Sequence, residues 1–577
     1  MVASNKEIAD LLFETGALLE MEGVAFKPRA FERAALAVES SDKDIASVYR
    51  EHGIDGLLEI PSVGKGIAEH IKDIITKGDF AEHKRLKKKI PVRVSELLQI
   101  EGVGPKMIKT LWDKLRVKNL KDLETAVRVG KIRTLPHFGQ KSQDKIQKGI
   151  TFLKKSGGRK SLGEAWHDAE VLKRMIASFP GIEHVVLAGS LRRRKETIGD
   201  IDMIAVAQDP AHAMGQFARL PMVAHIYAQG PAKTLVRLKN GMDADLRVVP
   251  EESFGAALNY FTGSKEHNIA LREIAIKKNL KLNEYGLYKG VKRITGRTEE
   301  ELYKALGLDY IEPEMREMTG EIEAARQHKL PKLINYGDLR GDLQTQTDWT
   351  DGEDSIEAMA LAAEEAGLEY IAITDHTQSL AMTGGSDEKK LLRQIAEIDR
   401  IQKKLQATGH RIVLLKGAEV NILKDGSLDI DDPTLMQLDI VGAAVHSNFN
   451  LSEIDQTKRV IRAMENPHVD ILFHPTGRII NKREPIELGM DAIIKTAKRT
   501  GTILEIDAHP ERLDLKDAYI RACVQAGVKM SIDSDAHAAN QFSVLEFGVA
   551  TARRGWATKK DIINAWPLKK LRTFLKK

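Results

Sequence analysis

The start of the chain has the hydrophobic spacing of helices. In residues 1–80, apolar side chains recur every three or four positions, which predicts helices near residues 6–22, 29–39 and 44–52 and another after residue 66. No apolar run approaches the roughly 18 residues of a membrane span, and no apolar signal stretch follows Met1. We therefore expect a cytoplasmic protein with no membrane partner.

Two later stretches change to strand patterns. An apolar run at 185–188 ends in Gly-Ser, a second strand begins at Asp200, and residues 234–238 and 242–250 predict a hairpin. From residue 337 onward, short apolar strands alternate with helices. These strands are expected at 370–374, 412–415, 440–444, 471–474, 502–506 and 528–532. The alternation predicts β/α units, arranged as a barrel with its chemistry at the carboxyl ends of the strands.

Charge is distributed unevenly along the 577 residues, a length that implies several domains because one core rarely exceeds about 250–300 residues. The net charge is only +5, but residues 81–160 hold 22 Lys and Arg against 7 Asp and Glu. This segment indicates a polyanionic partner, because phosphate contacts dominate nucleic-acid affinity; a solvated charged face is the alternative. The single cysteine, Cys523, lies in a helical apolar pattern and is expected to fill core space.

Glycine-containing turns enter predicted helices in and beside the basic segment. The pattern is that of a helix-hairpin-helix, whose glycines let the backbone approach a phosphate at the helix start. A first copy contains Gly64, Lys65 and Gly66, a second contains Gly102, Gly104 and Lys106, and a weaker third surrounds Gly139. We therefore predict sequence-independent duplex binding through these residues. Such hairpins can also hold a monovalent cation through carbonyl oxygens.

A Gly-Ser turn and an acidic strand carry the central chemistry. Gly189-Ser190 is followed by Asp200 and Asp202, which point to one face because strand side chains alternate. Two carboxylates so placed can hold two divalent ions for in-line phosphoryl displacement. The turn and its arginines supply donors for a triphosphate. Asp245 is the expected third carboxylate, and its same-face neighbour Asp243 is the competing choice.

Together with Tyr-Phe-Thr-Gly-Ser at 260–264, these motifs make residues 1–315 resemble a family X DNA polymerase of the polymerase beta type. The resemblance implies that Asp200 and Asp202 bridge two Mg²⁺ or Mn²⁺ ions and that Asp245 holds the catalytic one. It implies that the incoming nucleotide is bound by Gly189, Ser190, Arg193, Tyr260, Phe261, Gly263, Asn268 and Arg272. Gly189, Ser190 and Arg193 would hold the phosphates. Tyr260 and Phe261 would line the sugar pocket, and Asn268 and Arg272 would face the minor groove of the base pair. The alternative for the aromatic pair is a place in the core.

The first domain of this family can also be a lyase that acts through a lysine Schiff base. When residues 61–64 are aligned with the family pattern, His70 stands at the nucleophile position. Lys72 is two residues further, which is about 200° around a helix, so it would not face the same pocket. We therefore expect 5′-phosphate binding, with Lys27 and Lys65 among the contacts, and no lyase activity.

Carboxylates and imidazoles follow the predicted strands of the rear segment. The candidate metal ligands are Asp351, His376, Glu419, His446, His474, Asp535 and His537. Their order resembles a PHP (polymerase and histidinol phosphatase) domain, which bacterial family X polymerases carry and which can act as a metal-dependent 3′–5′ exonuclease or phosphoesterase. The family opens with Asp-Leu-His-x-His-Thr, but this chain has Gln344 and Gln346 in place of both histidines.

Neutral amides bind transition metals much more weakly than imidazoles. The remaining ligands would still hold two Zn²⁺ or Mn²⁺ ions, one through Glu419, His446 and His474 and the other through Asp351, His376 and His537. A third site should be incomplete, since Asp535 loses its two histidine partners. We therefore expect weak or absent nuclease activity.

The sequence predicts a multidomain fold that combines an all-α helix-hairpin-helix region, an α+β nucleotidyltransferase palm with a thumb-like subdomain, and a β/α PHP domain shaped as a distorted barrel. The expected segments are a helical DNA-binding domain (1–80), a helix-hairpin-helix subdomain (81–155), the palm (156–250), a nucleotide-selection subdomain (251–315), a linker (316–336) and the PHP domain (337–577).

We predict a monomeric, template-directed polymerase that uses dNTPs to fill short gaps in DNA during repair, acting on gapped or primer–template DNA. One alternative is a DNA-targeted metallohydrolase, which Gln344 and Gln346 disfavour. Another is a non-catalytic scaffold that binds DNA ends, which the intact set of three palm carboxylates disfavours.

Overall fold

The computed structural model describes residues 5–39, 41, 45–98, 100, 103–135, 138–155, 158–380 and 383–575. The chain divides into two compact units, residues 1–158 with 481–483, and residues 159–480 with 484–577. No described helix combines the length and the apolarity that a bilayer crossing requires.

The described part of the first unit is built from helices, as the spacing of apolar residues predicts. They are α1 (Asn5–Met21), α2 (Lys27–Glu39), α3 (Ile45–Leu58), α4 (Lys65–Lys77), α5 (Ala81–Lys89), α6 (Val94–Leu98), α7 (Pro105–Leu115), α8 (Leu120–Arg128) and α9 (Gln140–Lys155). A single apolar core extends from Ile8 on α1 to Ile150 on α9. The hairpin turns before α4 and α7 are anchored to this core by Val63 and Val103, which are buried.

The second unit begins with the palm. Its elements are β1 (Lys160–Ser161), α10 (Leu162–Ala177), β2 (Ile182–Leu187), α11 (Gly189–Arg192), β3 (Thr197–Ile198), β4 (Asp200–Ala207), α12 (Pro210–Ala218), β5 (Val223–Gln229), β6 (Lys233–Leu238) and β7 (Asp243–Val248). Five strands form one sheet in the order β2-β4-β7-β6-β5. The expected hairpin is the antiparallel pair of β6 and β7, whereas β4 and β7 run parallel. The expected Gly-Ser turn is the first turn of the short helix α11.

The nucleotide-selection region follows the palm. It contains α13 (Phe254–Thr262), α14 (Lys265–Lys277), β8 (Lys281–Asn283), β9 (Gly286–Lys289), β10 (Lys292–Thr295), α15 (Glu299–Leu306) and α16 (Glu321–Arg326). The strands form a small antiparallel sheet in the order β10-β9-β8. Arg316 and Glu321 belong to the expected linker, yet both are fully buried, and Ala325 on α16 packs in the same core as Leu271 and Tyr303.

The rear domain is the expected alternation of strands and helices. The strands are β11 (Gly341–Thr345), β12 (Tyr370–Ile373), β13 (Val413–Asn421), β14 (Ile440–Ala444), β15 (Ile471–Leu472), β16 (Ile503–Asp507) and β17 (Met530–Asp533). The helices are α17 (Ile356–Glu365), α18 (Glu388–Ala407), α19 (Asp432–Leu435), α20 (Glu453–Met464), α21 (Met490–Thr500), α22 (Asp517–Ala526), α23 (Leu545–Arg554) and α24 (Leu568–Leu575).

The rear strands are parallel and pair in sequence order from β11 to β17. The first and last strands nearly close the sheet, since Thr345 bridges Ala536 and the backbone N–H of Leu343 donates to the Asp533 carboxylate at 2.8 Å. This arrangement confirms the predicted barrel-like fold. β11 was absent from the strands expected from apolar runs because its sequence, Gly-Asp-Leu-Gln-Thr, is mostly polar even though every residue is buried.

The palm and the rear domain share apolar packing within the second unit. Ile480, Leu513 and Phe547 of the rear domain belong to the same buried cluster as Leu162 and Val236 of the palm. The Arg478 guanidinium also lies 2.8 Å from the Glu196 carboxylate.

Candidate active sites

The parallel pairing of β4 and β7 gathers four carboxylates on the palm sheet. Asp200 lies beside Asp243, and Asp202 lies beside Asp245. Because residues two apart on a strand share a face, all four side chains are neighbours. Burial, reinforced by the charges of Asp200 and Asp245, raises the pKa of Asp202 to about 7. The pKa of Asp200 is raised as well, first by burial.

The electrostatics of this cluster fit a divalent cation. One buried carboxylate oxygen of Asp245 has no hydrogen-bond partner among the described residues. The raised pKa of Asp202 comes first from burial and then from the charges of Asp200 and Asp245, and a bound cation would favour its ionised form. Carboxylate oxygens are the ligands that Mg²⁺ and Mn²⁺ prefer. The donor set therefore suits the ions that the sequence predicts.

The surroundings distinguish Asp245 from Asp243. The side chain of Asp245 is buried next to Asp202, and it lies 3.0 Å from Arg247 and 3.3 Å from Lys233. Asp243 is about one-third exposed, and its carboxylate lies 2.7 Å from the Arg237 guanidinium. The geometry thus favours Asp245 as the third carboxylate.

Gly189 is required by the position of Asp202. Its φ is +58°, and a Cβ at this position would overlap the Asp202 carboxylate, lying 3.0 Å from Cγ and 3.1 Å from Cβ. The absence of a side chain therefore lets the backbone of α11 approach the acidic cluster. Ser190, the next residue, is half-buried.

Arg193 is fixed beside the Gly-Ser turn. Its Nε donates to the Glu317 carboxylate at 2.9 Å, and its Nη1 donates to the carbonyl oxygen of Thr262. The Cα of Gly263 lies so close that a Cβ there would be 3.1 Å from Nη1. Nothing among the described residues pairs with Nη2 of Arg193. That nitrogen is left for a ligand.

The predicted sugar and minor-groove residues lie on α13 and α14. The rings of Tyr260 and Phe261 meet edge to face, with centroids 5.0 Å apart, and the Arg247 guanidinium lies 4.1 Å from the centroid of Phe261. Asn268 donates from Nδ2 to the Tyr260 carbonyl oxygen at 2.6 Å, and its buried Oδ1 has no partner in the described part of the chain. Arg272, one turn further along α14, is exposed.

Sequence reasoning missed an ionic network that centres on Glu299. Arg192 donates to both oxygens of Glu299, at 2.9 and 2.6 Å, and the buried Arg316 donates to the same carboxylate at 2.6 Å. Although burial alone would raise the pKa of Glu299, Arg316 and Arg192 lower it to about 2. The three residues belong to no short motif and come from separate segments of the sequence. The basic run at 192–194 was therefore the one sequence feature that pointed to this network.

The candidate DNA-binding glycines lie on the surface of the first unit. Gly64, Gly66 and Gly104 are exposed, and a Cβ at each would have no atom within 4 Å. Among the described residues, no side-chain hydrogen bond caps the start of α4 or α7, so N–H groups in their first turns can meet a phosphate. Lys65 and Lys106 are exposed at the same helix starts. Gly102 lies outside the described residues, as do Pro136 and His137 of the weaker third hairpin.

The surroundings of His70 match those of an aromatic packing residue. Its ring stacks on Phe80, with centroids 4.4 Å apart, and lies 3.5 Å from Glu82, to which the exposed Lys27 also pairs at 3.4 Å. Burial lowers the pKa of His70. Lys72 is instead paired with Glu69 at 2.8 Å. Position 70 itself therefore offers no amine for a Schiff base, and the nearby amine of Lys72 is paired with Glu69.

Glu419 is the centre of the rear site. It is fully buried at the end of β13, where Oε1 lies 2.9 Å from His446 and 2.8 Å from His474, and Oε2 lies 3.4 Å from His376. Although burial alone would raise the pKa of Glu419, His376 and His446 hold it well below its ordinary value. A buried carboxylate surrounded by imidazoles is a donor set that suits Zn²⁺ or Mn²⁺.

Two groups of ligand atoms in the rear site lie close enough to share an ion. Atoms of His376, Glu419 and His446 lie within 4.8 Å of one another, and so do atoms of Asp351, His376 and His537. The second group is the one expected from the sequence. The first group differs from the expected one, because it contains His376 where the sequence predicted His474. His474 nevertheless also contacts Glu419.

The two glutamines occupy this site as donors. Gln344 and Gln346 donate from Nε2 to Oε2 of Glu419, at 3.1 and 2.8 Å. A histidine could present a lone pair to a metal here, whereas each amide presents N–H groups to the carboxylate. The buried Oε1 atoms of both glutamines have no partner within the described ranges.

A guanidinium pairs with Asp535, the carboxylate that the sequence assigned to an incomplete third site. The Nε of Arg512 is 3.6 Å from Asp535 and 3.3 Å from Asp507. Sequence reasoning did not identify Arg512 or place Asp507 in the ligand set. An arginine after a strand is too common to be a signal by itself.

Comparisons with known proteins identify the same parts. Family models match at residues 3–80 (helix-hairpin-helix domain), 94–150 (SAM-like helix-hairpin-helix tandem) and 257–317 (DNA polymerase beta thumb). DNA polymerase lambda of Rattus norvegicus is 26% identical over 346 residues, covering 54% of this chain and 56% of its own. A probable phosphatase of Thermoanaerobacter sp. (strain X514) is 28% identical over 232 residues, covering 38% of this chain and 88% of its own.

A further relative matches both the polymerase region and the rear domain. The DNA polymerase/3′-5′ exonuclease PolX of Bacillus subtilis (strain 168) is 36% identical over 577 residues, which is 99% of each chain. Members of these polymerase and phosphatase families generally use divalent metals. With the helix-hairpin-helix region, the polymerase beta-like middle and the barrel-like rear domain, this identity shows that the chain belongs to the family X DNA polymerases that carry a C-terminal PHP domain.

Proposed function

We propose that the palm transfers a nucleotide from a dNTP to the 3′-hydroxyl of a primer in short gaps of DNA, with the template strand choosing the base. The observation that carries this proposal is the register of β4 and β7, which gathers Asp200, Asp202 and Asp245 into one acidic cluster. Asp200 and Asp202 would hold two Mg²⁺ or Mn²⁺ ions, and Asp245 would hold the one nearer the primer. When bound, such ions neutralise the triphosphate and lower the pKa of the attacking hydroxyl.

The protein groups around the cluster orient the nucleotide. The free Nη2 of Arg193 and the hydroxyl of Ser190 would bind phosphate oxygens. The rings of Tyr260 and Phe261 would line the sugar pocket, and Asn268 would hold that segment in place through its bond to the Tyr260 carbonyl oxygen.

The first unit would hold the DNA. The uncapped starts of α4 and α7, with Lys65 and Lys106, suit contacts to backbone phosphates and not to bases. Binding should therefore fall steeply with salt and depend little on sequence. The stacking of His70 and the pairing of Lys72 favour 5′-phosphate binding without lyase chemistry. We also infer that the protein works as a monomer in the cytoplasm.

A second activity is favoured by the rear ligands. The groups around Glu419 and around Asp351 suit two Zn²⁺ or Mn²⁺ ions and hence hydrolysis of a phosphodiester at a 3′ end. Gln344 and Gln346 compete for Glu419 through their N–H groups, so we propose that this nuclease is weak.

One assay tests both activities. A 5′-labelled primer annealed across a one-nucleotide gap is incubated with Mn²⁺, with or without dNTPs, using the wild type, Asp200→Ala and His446→Ala. Extension by the wild type that is lost in Asp200→Ala supports the polymerase. Rapid shortening without dNTPs, retained in Asp200→Ala and lost in His446→Ala, would contradict a weak nuclease. Neither extension nor shortening would favour the DNA-end-binding scaffold.

A further inference from the structure

A buried arginine of the rear domain contacts the segment that carries Arg193. Arg554 is the last residue of α23, and only 4% of its side chain is exposed. Its Nη1 donates to the carbonyl oxygen of Arg193 at 2.7 Å and to the Glu317 carboxylate at 3.1 Å, while Nη2 donates to Asp517 at 2.5 Å. One guanidinium thus joins the palm, the nucleotide-selection region and the start of α22.

Glu317 is shared between this arginine and the candidate triphosphate ligand. The same Oε1 that accepts from Arg554 also accepts from Nε of Arg193 at 2.9 Å, and Oε2 lies 3.6 Å from Lys195. Although burial alone would raise the pKa of Glu317, Arg554 and then Arg193 lower it, so the carboxylate is ionised. Glu317 therefore orients Arg193 but also brings a negative charge next to the place where a triphosphate must bind.

We propose that Arg554 is a positioning residue for nucleotide binding: it fixes the backbone of Arg193 and neutralises Glu317, so that Arg193 keeps Nη2 directed to the dNTP. The proposal rests on the polymerase function proposed above. It makes the rear domain a part of the nucleotide site without any use of its metal ligands.

The charge arrangement predicts what loss of Arg554 would do. Glu317 would then be neutralised only by Arg193 and Lys195, so it would hold Arg193 more tightly and would repel the triphosphate. The carbonyl oxygen of Arg193 would lose its donor, which would loosen the end of α11. Both effects weaken dNTP binding and leave the palm carboxylates in place.

The neighbouring Arg553 supplies a matched control. It lies on the same helix with 8% of its side chain exposed, and it donates from Nε to Glu314 at 2.7 Å and from Nη1 to the Ile334 carbonyl oxygen at 2.9 Å. Arg553 contacts neither Arg193 nor Glu317. Arg553→Met should therefore disturb the packing of α23 to a similar degree without reaching the nucleotide.

The test is single-nucleotide insertion on gapped DNA by the full chain, with Asp200→Ala as the inactive reference. We expect Arg554→Met to raise KM for dNTP about tenfold with kcat within about threefold of wild type, and Arg553→Met to leave KM unchanged. Adding Glu317→Gln to Arg554→Met should recover most of the KM, because the uncompensated carboxylate is then gone. Arg554→Lys should also recover part of it.

Several outcomes would overturn the proposal. One is an unchanged KM in a folded Arg554→Met variant, with folding checked by circular dichroism and thermal unfolding. Another is an equal rise in KM in Arg553→Met, or no recovery on adding Glu317→Gln, since a merely structural role predicts both. Failure of the wild type to extend the primer is a different result, because it would reject the polymerase function itself.

Discussion

Replacing Gly189 by alanine tests the central geometry of the palm. A Cβ at this position would overlap the Asp202 carboxylate, 3.0 Å from its Cγ. Non-bonded carbon atoms need roughly 3.5–4.0 Å, and Oδ2 of Asp202 would be nearer still than Cγ, so the carboxylate would have to move by about 1 Å. A displacement of about 1 Å in an active site can cost on the order of 100-fold in rate. We therefore expect Gly189→Ala to lower kcat for nucleotide insertion about 100-fold.

Backbone strain also contributes at this position, because the φ of +58° costs a non-glycine residue about 1–2 kcal/mol. Gly241 provides the control: its φ is +85°, it lies in the turn between β6 and β7, and a Cβ there would have no atom within 4 Å. Gly241→Ala should lower the free energy of unfolding by a similar amount but keep nearly normal kcat. The reasoning is refuted if a folded Gly189→Ala variant inserts nucleotides within about threefold of the Gly241→Ala rate.

Three further outcomes are expected. Asp243→Asn should keep the rate of nucleotide insertion within about threefold of wild type, since Arg237 already pairs with this carboxylate. Asp245→Asn should lower that rate roughly 100-fold or more. Equal losses of rate in the two variants, measured in steady-state assays, would contradict the choice of Asp245 as the third carboxylate. Gln344→His combined with Gln346→His should increase bound Zn²⁺ or Mn²⁺, measured by elemental analysis of dialysed protein, and speed primer shortening; unchanged metal content would contradict the proposed role of the amides. Glu299, with a folded pKa of about 2 against an ordinary 4.5, should contribute about 3 kcal/mol of stability above pH 4.5 that is lost as the pH falls toward 2. Urea unfolding of Glu299→Gln should then depend less on pH between 5 and 3 than that of the wild type.

The sequence predicts the fold where periodicity and short motifs are strong. The helices of the first unit and most of the rear strands follow from their apolar spacing, and Asp200 and Asp202 follow from alternation on one strand. β11 could not be found this way, because three of its five buried residues, Asp342, Gln344 and Thr345, are polar. Gln344 of β11, and Gln346 just after it, stand out only against the histidines of the PHP family pattern and not through periodicity.

Contacts that depend on tertiary structure were beyond sequence reasoning. Nothing in the chain around Glu299 or Glu317 shows that arginines from distant segments converge on them. The order of β4 and β7 in the sheet, which places Asp245 next to Asp202, also follows from pairing between strands that are about 40 residues apart. Spacing left Asp243 as a competing choice. The two are separated by the burial of Asp245 beside Asp202 and by the pairing of the more exposed Asp243 with Arg237.

The apolar packing between the palm and the rear domain has a consequence for truncated variants of the protein. Leu513 is fully buried and Phe547 is 8% exposed, both within the cluster that also holds the palm residue Val236. Deleting the rear domain would uncover the palm's interior, whereas changing a metal ligand of the rear site would not. Loss of the rear domain and loss of a rear metal ligand should therefore affect the polymerase differently, because only the first exposes the core that Val236 shares with Leu513 and Phe547.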